Sequence, residues 1–255
     1  MSSRFSLQGR TALVTGGARG CGLAFAEGLA EAGADVAVFD VIAPEEAFFS
    51  ISEKFGVKTK HYLRVDVSSM ESLTKGFAEF SVDFDGRLDV CVPCAGINRH
   101  LSFLETGFEE HRKLIGVNVL GVYHTAQLAA KQMIDNGTKK GSIVLVASIA
   151  SYIAIKSQMS SAYCGTKGAV RAMCPGIAKE LVEYGIRVNS ISPGYVNTDM
   201  TAPFPHLLAS WKDEIMNGRV ATPEDLRGGC VFLAGDASSY MTGQDLCIDG
   251  GATRW

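Results

Sequence analysis

Short apolar runs of strand length alternate along the chain with longer segments whose apolar residues recur at helical spacing. The first run, residues 10–15, is followed by the glycine-rich string TGGARGCG, a helical pattern over residues 23–32 and a second run, Asp35–Asp40. The alternation continues to a last strand within GQDLCIDGG, without an internal repeat or a linker. This pattern predicts one α/β domain, in which a doubly wound parallel sheet of about seven strands carries helices on both faces.

The remaining elements follow from the same periodicities. Strands are predicted at residues 57–65, 88–92, 141–148 and 186–191, and helices at 45–55, 70–80, 108–115, 117–134 and 223–233. Another helix begins near Ser161 and contains Pro175, which removes one helical hydrogen bond and predicts a bend. The apolar, irregularly spaced segment 202–216 predicts a substrate lid, with a fixed helix in a subunit contact as the alternative.

The glycine-rich string lies between the first strand and the first helix, the position that holds a pyrophosphate in nucleotide-binding folds. Gly16, Gly20 and Gly22 let the backbone turn tightly and approach a pyrophosphate bound at the N-terminus of the helix. Arg19 and Cys21 lie inside the same turn. The string therefore predicts a Rossmann-type dinucleotide-binding site at this end of the sheet.

Asp40 ends the second strand about 20 residues after the glycines, where a carboxylate binds the adenosine ribose hydroxyls and repels a 2′-phosphate. Val41 follows it and offers no positive charge, so these two positions favour NAD(H). Arg19 is the one residue of the turn that points to NADP(H), because a guanidinium binds phosphate well. Asp66 and Val67, at the end of the third strand, are predicted to lie beside the adenine.

The tight turn PCAG after the fourth strand brings Cys94, Ala95 and Gly96 toward the same cofactor. Pro93 lacks a backbone donor, so the bracing of this strand end is predicted to be weak. Cys91 and Cys94 form a CxxC, yet no second cysteine pair completes a zinc site, which favours ordinary buried thiols and no metal. The chain has seven scattered cysteines, an odd number that argues against a disulfide framework.

Tyr163 and Lys167 stand four residues apart in YCGTK, so a helix would place a phenol and an ammonium on one face. A free tyrosine has a pKa of about 10, and a lysine charge beside it pulls that pKa toward the neutral range. The pair is therefore a candidate general acid/base. A chance spacing of tyrosine and lysine on a long helix is the alternative.

Composition limits the classes of partner and of function. With 47% hydrophobic and 20% charged residues in 255, the chain has an ordinary globular composition. A net charge of −3 and the lack of a basic run point to neither nucleic acid nor an anionic membrane. The longest apolar runs are too short for a membrane span, and MSSRFSLQGR lacks the apolar core of a signal peptide, which favours a cytoplasmic protein.

Taken in order, TGGARGCG, Asp66, Asn118, Ser148, YCGTK and PGYVNT resemble the short-chain dehydrogenase/reductase family over essentially the whole chain. The long gap between Ser148 and Tyr163, the lead-in QMSSAY and the ending DASSYMTGQDLCIDGG are similar to the fungal ketose and polyol reductases, namely the sorbose reductase and mannitol or arabinitol dehydrogenase group. PCAG stands where the family usually has NNAG. The resemblance implies an NAD(P)(H)-dependent interconversion of a ketone and a secondary alcohol.

The resemblance also implies roles for individual residues. Tyr163 would protonate the carbonyl oxygen while hydride reaches the carbon, Lys167 would lower the tyrosine pKa and hold the nicotinamide ribose, and Ser148 would hydrogen-bond the substrate oxygen. Asn118 would hold a water that relays protons, unless it and Ser148 merely satisfy nearby backbone. The loop after the sixth strand would bind the carboxamide end of the cofactor, through Pro193, Gly194, Val196 and Thr198.

Three functions remain open from the sequence. A ketose or polyol is the first substrate class, with Ser148, Tyr195 and Trp211 as its contacts. Residues 149–159 and the region around Trp211 are strongly apolar for a sugar pocket, which favours a larger apolar ketone as the second. A non-catalytic cofactor-binding scaffold is the third, and the intact tyrosine and lysine argue against it. The family resemblance also implies a homo-oligomer, either a dimer or a tetramer, in which the helix carrying Tyr163 packs between subunits.

Overall fold

A computed structural model of the chain describes residues 3–201 and 210–254. Within these ranges, a seven-stranded sheet has the order β3-β2-β1-β4-β5-β6-β7, and each neighbouring pair runs parallel. The strands are β1 (Thr11–Thr15), β2 (Asp35–Asp40), β3 (Thr59–Leu63), β4 (Val90–Pro93), β5 (Gly141–Val146), β6 (Ile186–Pro193) and β7 (Asp245–Ile248). The predicted doubly wound parallel sheet is confirmed.

Helices connect successive strands, as parallel pairing requires. They are α1 (Gly20–Glu31), α2 (Glu46–Phe55), α3 (Met70–Asp83), α4 (Phe108–Ile115), α5 (Val122–Asp135), α6 (Ser161–Leu181) and α7 (Arg227–Ala234). Short 3₁₀ turns lie at Ser3–Phe5, Ile149–Ser151, Val182–Tyr184, Lys212–Glu214, Pro223–Leu226 and Asp236–Ser238. The predicted helix over 223–233 is therefore a 3₁₀ turn that leads into α7.

Apolar cores cover both faces of the sheet, because successive residues of a strand point to opposite faces. In β1, Val14 packs into the core with Phe25 of α1, whereas Leu13 packs into the opposite core. The second core contains Phe39, whose ring meets those of Phe77 and Phe80 edge-on at centroid distances of 5.5 and 6.4 Å. Burial on both faces explains why the strands read as nearly continuous apolar runs in the sequence.

The helical region after β4 departs from the prediction of two separate helices. α4 passes into α5 through a π-helical turn, Gly116–Gly121, whose flanking residues keep right-handed helical dihedral angles. Gly121 packs against the segment that follows β3, since a Cβ added to it would be 2.7 Å from Val67 Cγ2. The π turn carries Asn118, and such turns often occur at functional sites.

The bend predicted at Pro175 does not interrupt α6. The helix runs from Ser161 to Leu181 and contains Pro175. Proline leaves the carbonyl four residues before it, that of Arg171, without its helical donor. Pro175 is exposed, so water can satisfy that carbonyl and the helix continues.

Candidate active site

The carboxyl ends of the strands open into a cavity of about 690 Å³, within the usual size of a ligand site. It lies where the strand order reverses between β1 and β4, the position at which open α/β sheets bind ligands. Of the residues predicted to bind or react, Asn118 is the one that does not line this cavity. The lining residues include Gly16, Arg19, Gly20, Cys21, Gly22, Asp40, Val41, Asp66, Val67, Cys94, Ala95, Gly96, Ser148, Tyr163, Lys167, Pro193, Gly194, Tyr195, Val196, Thr198 and Trp211.

The glycine-rich loop is closely packed, and three of its glycines, Gly16, Gly17 and Gly22, have no room for a side chain. A Cβ on Gly22 would be 2.1 Å from the carbonyl oxygen of Gly16, and one on Gly16 would be 2.6 Å from Ala95 Cα. Gly16 also has a left-handed φ of 67°. Arg19, the N-cap residue of α1, makes no side-chain capping bond, so the cavity receives an uncapped helix N-terminus that suits a pyrophosphate.

Asp40 is held rigidly at the end of β2. Its Oδ2 accepts a hydrogen bond from the amide of Ala18 at 3.0 Å, and its Oδ1 accepts those of Val41 at 2.7 Å and Ile42 at 3.3 Å. Across the cavity rim, Arg19 Nη1 lies 3.0 Å from Asp199 Oδ2 in an exposed ion pair. The carboxylate at the ribose position is therefore fixed, whereas the arginine charge already has a carboxylate partner.

The turn after β4 is braced by side chains. Thr15 Oγ1 accepts the amide of Ala95 at 3.2 Å, while the β4–β5 ladder registers two residue pairs, Val90–Ser142 and Cys91–Ile143. This short ladder fits a strand that ends in a proline, which has no amide proton to donate. At the end of β3, Asp66 Oδ1 accepts the amide and the hydroxyl of Ser68 at 2.9 and 2.7 Å, which fixes the carboxylate beside the cavity.

All seven cysteines of the chain are free thiols. Burial raises the pKa of Cys94 to about 12 and that of Cys91 still further. A thiolate is the reactive and metal-binding form, and burial disfavours it. Cys91 is therefore a buried, protonated thiol, whereas Cys94 is protonated but only partly buried at the cavity wall.

Tyr163 and Lys167 lie one turn apart near the start of α6, at the floor of the cavity. Lys167 Nζ is 5.8 Å from the centroid of the Tyr163 ring and donates a hydrogen bond to the carbonyl of Val146 at 2.8 Å. Burial raises the pKa of the Tyr163 phenol, although its hydrogen bond with Ser148 acts in the opposite direction. Burial also lowers the pKa of Lys167, to about 8. Desolvation therefore sets the direction of the tyrosine shift, and the lowering of that pKa by Lys167 that the sequence predicted is not seen in the structure.

Ser148 follows β5 and begins the 3₁₀ turn Ile149–Ser151. Its Oγ accepts the amide of Ala150 at 3.2 Å and also lies within hydrogen-bonding reach of Tyr163. The serine side chain therefore accepts a hydrogen bond from nearby backbone, as one of the two interpretations of the sequence expected. It also faces the phenol of Tyr163. This places two hydroxyl groups side by side at the cavity floor.

Asn118 lies behind the cavity wall, where it is fully buried. Its Nδ2 donates to the carbonyl of Ile97 at 2.9 Å and to Thr166 Oγ1 at 3.1 Å, and its Oδ1 accepts the amide of Ile97 at 2.9 Å. These bonds join the segment after Gly96 to α6, which carries the tyrosine. The side chain of Asn118 braces the site, and its predicted role in proton relay stays a prediction.

An apolar cluster forms the wall nearest to Tyr163. It contains Ile149, Ala150, Ile155, Tyr195 and Trp211, all of which are buried. Residues 202–209 of the predicted lid lie outside the described residues, while Trp211 and Ile215 in its remainder are packed into this cluster. The proposal that the segment closes over a substrate stays a prediction.

The sequence did not indicate several polar residues of the cavity, namely Ser68, Asn98, Arg99, His100, Lys113, Gln158, Asp199 and Thr201. Asn98 and Gln158 both line it, and Asn98 Oδ1 is buried without a partner in the described parts of the chain. Gln158 stands in the QMSSAY lead-in, which was noted as a resemblance and not as a wall of the site. Asn98 follows PCAG by two residues, and its spacing carries no recognisable signal.

Over residues 3–201 and 210–254, none of the helices has both the length and the apolar character needed to cross a membrane. The same residues contain no group of three or more His, Cys, Asp or Glu side chains placed to hold a metal ion.

Known proteins share this architecture over nearly the whole chain. The family model described as enoyl-(acyl carrier protein) reductase matches residues 16–253, and a sorbose reductase of Schizosaccharomyces pombe is 36% identical over 98% of each chain. A short-chain type dehydrogenase/reductase from Mycobacterium marinum superposes with a TM-score of 0.92 at 37% identity over 99% of each chain. A gluconate 5-dehydrogenase from Burkholderia cenocepacia, in complex with NADP and tartrate, gives 0.89 at 33% identity over 99% of this chain and 98% of its own. On its motifs, its fold and these matches, the chain belongs to the short-chain dehydrogenase/reductase family, whose members are NAD(P)-dependent oxidoreductases that act on small molecules.

Proposed function

We propose that this protein interconverts a ketose and a polyol, that is, a ketone and a secondary alcohol, with NAD(H) as the preferred cofactor. The observation that carries the proposal is one continuous cavity that joins the fixed carboxylate of Asp40 to the paired hydroxyls of Ser148 and Tyr163. The similarity to a sorbose reductase supports the choice of a ketose.

The residues of the cavity fit a dinucleotide. The uncapped N-terminus of α1 suits a pyrophosphate, Asp40 suits the ribose hydroxyls, and Asp66 lies at the strand end beside the adenine position. Pro193, Gly194, Val196 and Thr198 form the wall that would meet the nicotinamide end. The bound cofactor supplies the hydride, and the remaining steps fall to side chains of the chain itself.

Tyr163 is the proton donor in this proposal, and Ser148 holds the same carbonyl oxygen by a hydrogen bond. Because burial raises the pKa of Tyr163, its phenol is protonated at neutral pH and ready to donate, which suits reduction. The phenolate left behind lies beside Lys167, which is buried and has two ammonium protons besides the one given to Val146. In the oxidative direction Tyr163 accepts the proton of the alcohol instead.

The preference for NAD(H) rests on the two charges at the ribose end. Asp40 is fixed by three backbone amides, so its carboxylate would repel a 2′-phosphate. Arg19, the cation of the same region, is already paired with Asp199. The gluconate 5-dehydrogenase in complex with NADP has the same fold, so the fold by itself does not favour NAD(H). The charge pattern of this chain, and not its fold, therefore supports the preference.

A larger apolar ketone is the second candidate substrate. The cluster of Ile149, Ile155, Tyr195 and Trp211 gives the substrate end an apolar wall, which favours a hydrophobic ring over a polyhydroxylated chain. Asn98 and Gln158 are polar groups of the same cavity and favour hydroxylated substrates.

We also propose a cytoplasmic homo-oligomer, a homotetramer by family resemblance. Exposed apolar side chains along α4 and α5 support self-association, since Phe108 is 80% and Tyr123 is 40% exposed in the isolated chain. Sedimentation analysis would measure the assembly.

The test is NADH oxidation with a panel of ketoses and bulky cyclic ketones, followed by product analysis. Turnover of a ketose with a higher kcat/KM than that of the cyclic ketones supports the proposal. A preference for the cyclic ketones would favour the second candidate. Cofactor binding without turnover of any carbonyl compound would point to a scaffold and overturn both.

A further inference from the structure

Two aromatic rings are stacked in the wall of the cavity on the substrate side. The ring centroids of Tyr195 and Trp211 are 4.7 Å apart with an interplanar angle of 23°, and both residues line the cavity. Trp211 is 1% exposed and Tyr195 is 6% exposed. Tyr195 lies in the loop after β6, whereas Trp211 lies in the segment after residue 209. The stacking geometry therefore depends on the contacts that hold these two segments together.

Each ring is fixed by a hydrogen bond at its polar atom. Trp211 Nε1 donates to Ser157 Oγ at 2.8 Å, and the Tyr195 hydroxyl donates to Glu214 Oε2 at 2.5 Å. A buried indole N–H without an acceptor is costly, so Ser157 determines the position at which Trp211 is stable. Glu214 lies on the same segment as Trp211 and fixes the stacked partner in turn.

Ser157 lies in the stretch between Ser148 and Tyr163, 9 residues after the former and 6 before the latter. This stretch starts from the hydroxyl that faces Tyr163, contributes Ile149 and Ile155 to the apolar wall, and then reaches Trp211 through Ser157. The same chain segment thus connects the reacting hydroxyls to the far wall.

We propose that Ser157 is a positioning residue for the substrate: it holds Trp211 in the wall and so sets which carbonyl compounds fit beside Tyr163. The proposal rests on the proposed carbonyl–alcohol interconversion and deepens it. With the hydrogen bond in place, the stacked pair is fixed in the cavity wall that a small ketose would meet. Without it, Trp211 loses its acceptor and the wall becomes less rigid. This change should weaken the binding of a small substrate more than that of a bulky one.

The experiment uses the full-length protein with Trp255→Phe, which leaves Trp211 as its one tryptophan, since the chain has two. Ser157→Ala removes the acceptor, Ser157→Thr keeps a hydroxyl, and Lys156→Ala alters an exposed neighbour on the same stretch as a matched control. For each variant, kcat and KM are measured with the best ketose and with a bulky cyclic ketone, together with acrylamide quenching of Trp211 fluorescence.

For Ser157→Ala we expect KM for the ketose to rise about tenfold while kcat changes by less than about threefold. The KM for NADH should not change, the preference should shift toward the cyclic ketone, and Trp211 should become easier to quench. Ser157→Thr should restore the values of the parent, and Lys156→Ala should match it throughout.

Trp211→Phe provides a second route that does not depend on the stability of one variant. Phenylalanine has no N–H, so Ser157→Ala should have no further effect on KM in that background. An effect of equal size in both backgrounds would overturn the proposal, as would unchanged KM and quenching in Ser157→Ala. If the wild type reduces no ketose, the proposed function fails, whereas the quenching of Trp211 still decides whether Ser157 holds it.

Discussion

Replacing Asp40 with serine should shift the cofactor preference of this protein from NADH toward NADPH. The carboxylate is held by the amides of Ala18, Val41 and Ile42 at 2.7 to 3.3 Å, so it cannot turn away from a 2′-phosphate without losing those bonds. The ribose hydroxyls of NADH donate to the same oxygens. We therefore expect Asp40 to favour NADH and to repel the 2′-phosphate of NADPH at a single position.

The size of the effect follows from Coulomb's law. Two unit charges about 4 Å apart interact by about 4 kcal/mol at an effective dielectric constant of 20. Asp40 is only half-buried, so solvent screens part of this repulsion, and about 2–3 kcal/mol is a reasonable value. Since 1.4 kcal/mol is a factor of ten, the wild type should prefer NADH by roughly 30- to 150-fold in kcat/KM. Asp40→Ser should lose most of that preference.

The assay is the ratio of kcat/KM for NADH and NADPH with one ketone, in the wild type, Asp40→Ser and Asp66→Asn. Asp66 is a second carboxylate of the same cavity, away from the ribose position, so its loss should weaken both cofactors and leave the ratio unchanged. Adding Arg19→Ala to Asp40→Ser should then lower NADPH use, because the guanidinium lies in the glycine-rich turn of the cavity and binds phosphate well.

A wild type that prefers NADPH would refute this reasoning, because Arg19 would then prevail in spite of its ion pair with Asp199. A ratio unchanged in Asp40→Ser would place the determinant elsewhere in the cavity. Asp40→Asn keeps the size of the side chain and removes its charge, so it separates the loss of repulsion from the loss of backbone bonds. It should lie between the wild type and the serine variant.

Three further predictions concern the reacting end and its supports. Tyr163→Phe should lower kcat by about 10² to 10⁴ with little change in NADH affinity, and half of the wild-type activity would remove Tyr163 from the mechanism. Burial lowers the pKa of Lys167 from 10.5 to about 8, so the unfolded chain binds more protons between these pH values. The unfolding free energy of the cofactor-free wild type should therefore rise over that interval relative to Lys167→Met, and parallel pH profiles in urea denaturation would contradict this. Thr15→Val leaves the amide of Ala95 unpaired and should cost about 1–3 kcal/mol, measured by the same method; a loss below about 0.3 kcal/mol would show that the bond is dispensable.

The fold was predictable because local and global signals agree along the chain. The strand Asp35–Asp40 has the predicted bounds, since a buried parallel strand reads as an apolar run between punctuating glycines and acids. α4 has its predicted bounds as well. The π turn was not predictable, because its apolar spacing differs from that of an α-helix by less than the sequence can register.

The position of the candidate site was predictable where a single residue type at the end of one strand is enough to indicate it. The glycines and Asp40 needed no tertiary information beyond the order of the strands. The pKa direction of Tyr163 did need it, because burial is a property of the assembled cavity and the spacing to Lys167 does not report it. The partnership of Ser157 with Trp211, 54 residues apart, was likewise out of reach of any local pattern.

The burial of Lys167 in the cavity lowers the stability of the fold. It is 4% exposed, and the groups that favour its charge are the thiols of Cys94 and Cys21, which are weak acids. A buried ammonium with such partners destabilises the cofactor-free fold at neutral pH. A ligand that binds the folded state would raise its free energy of unfolding. Gly96 lies beside both groups: a Cβ there would make ordinary van der Waals contacts, 3.6 Å from Lys167 Nζ and 3.5 Å from Asn118 Oδ1. An alanine at this position would take up cavity space beside the ammonium without a steric clash, so in the proposed function Gly96 leaves the cofactor room next to Lys167.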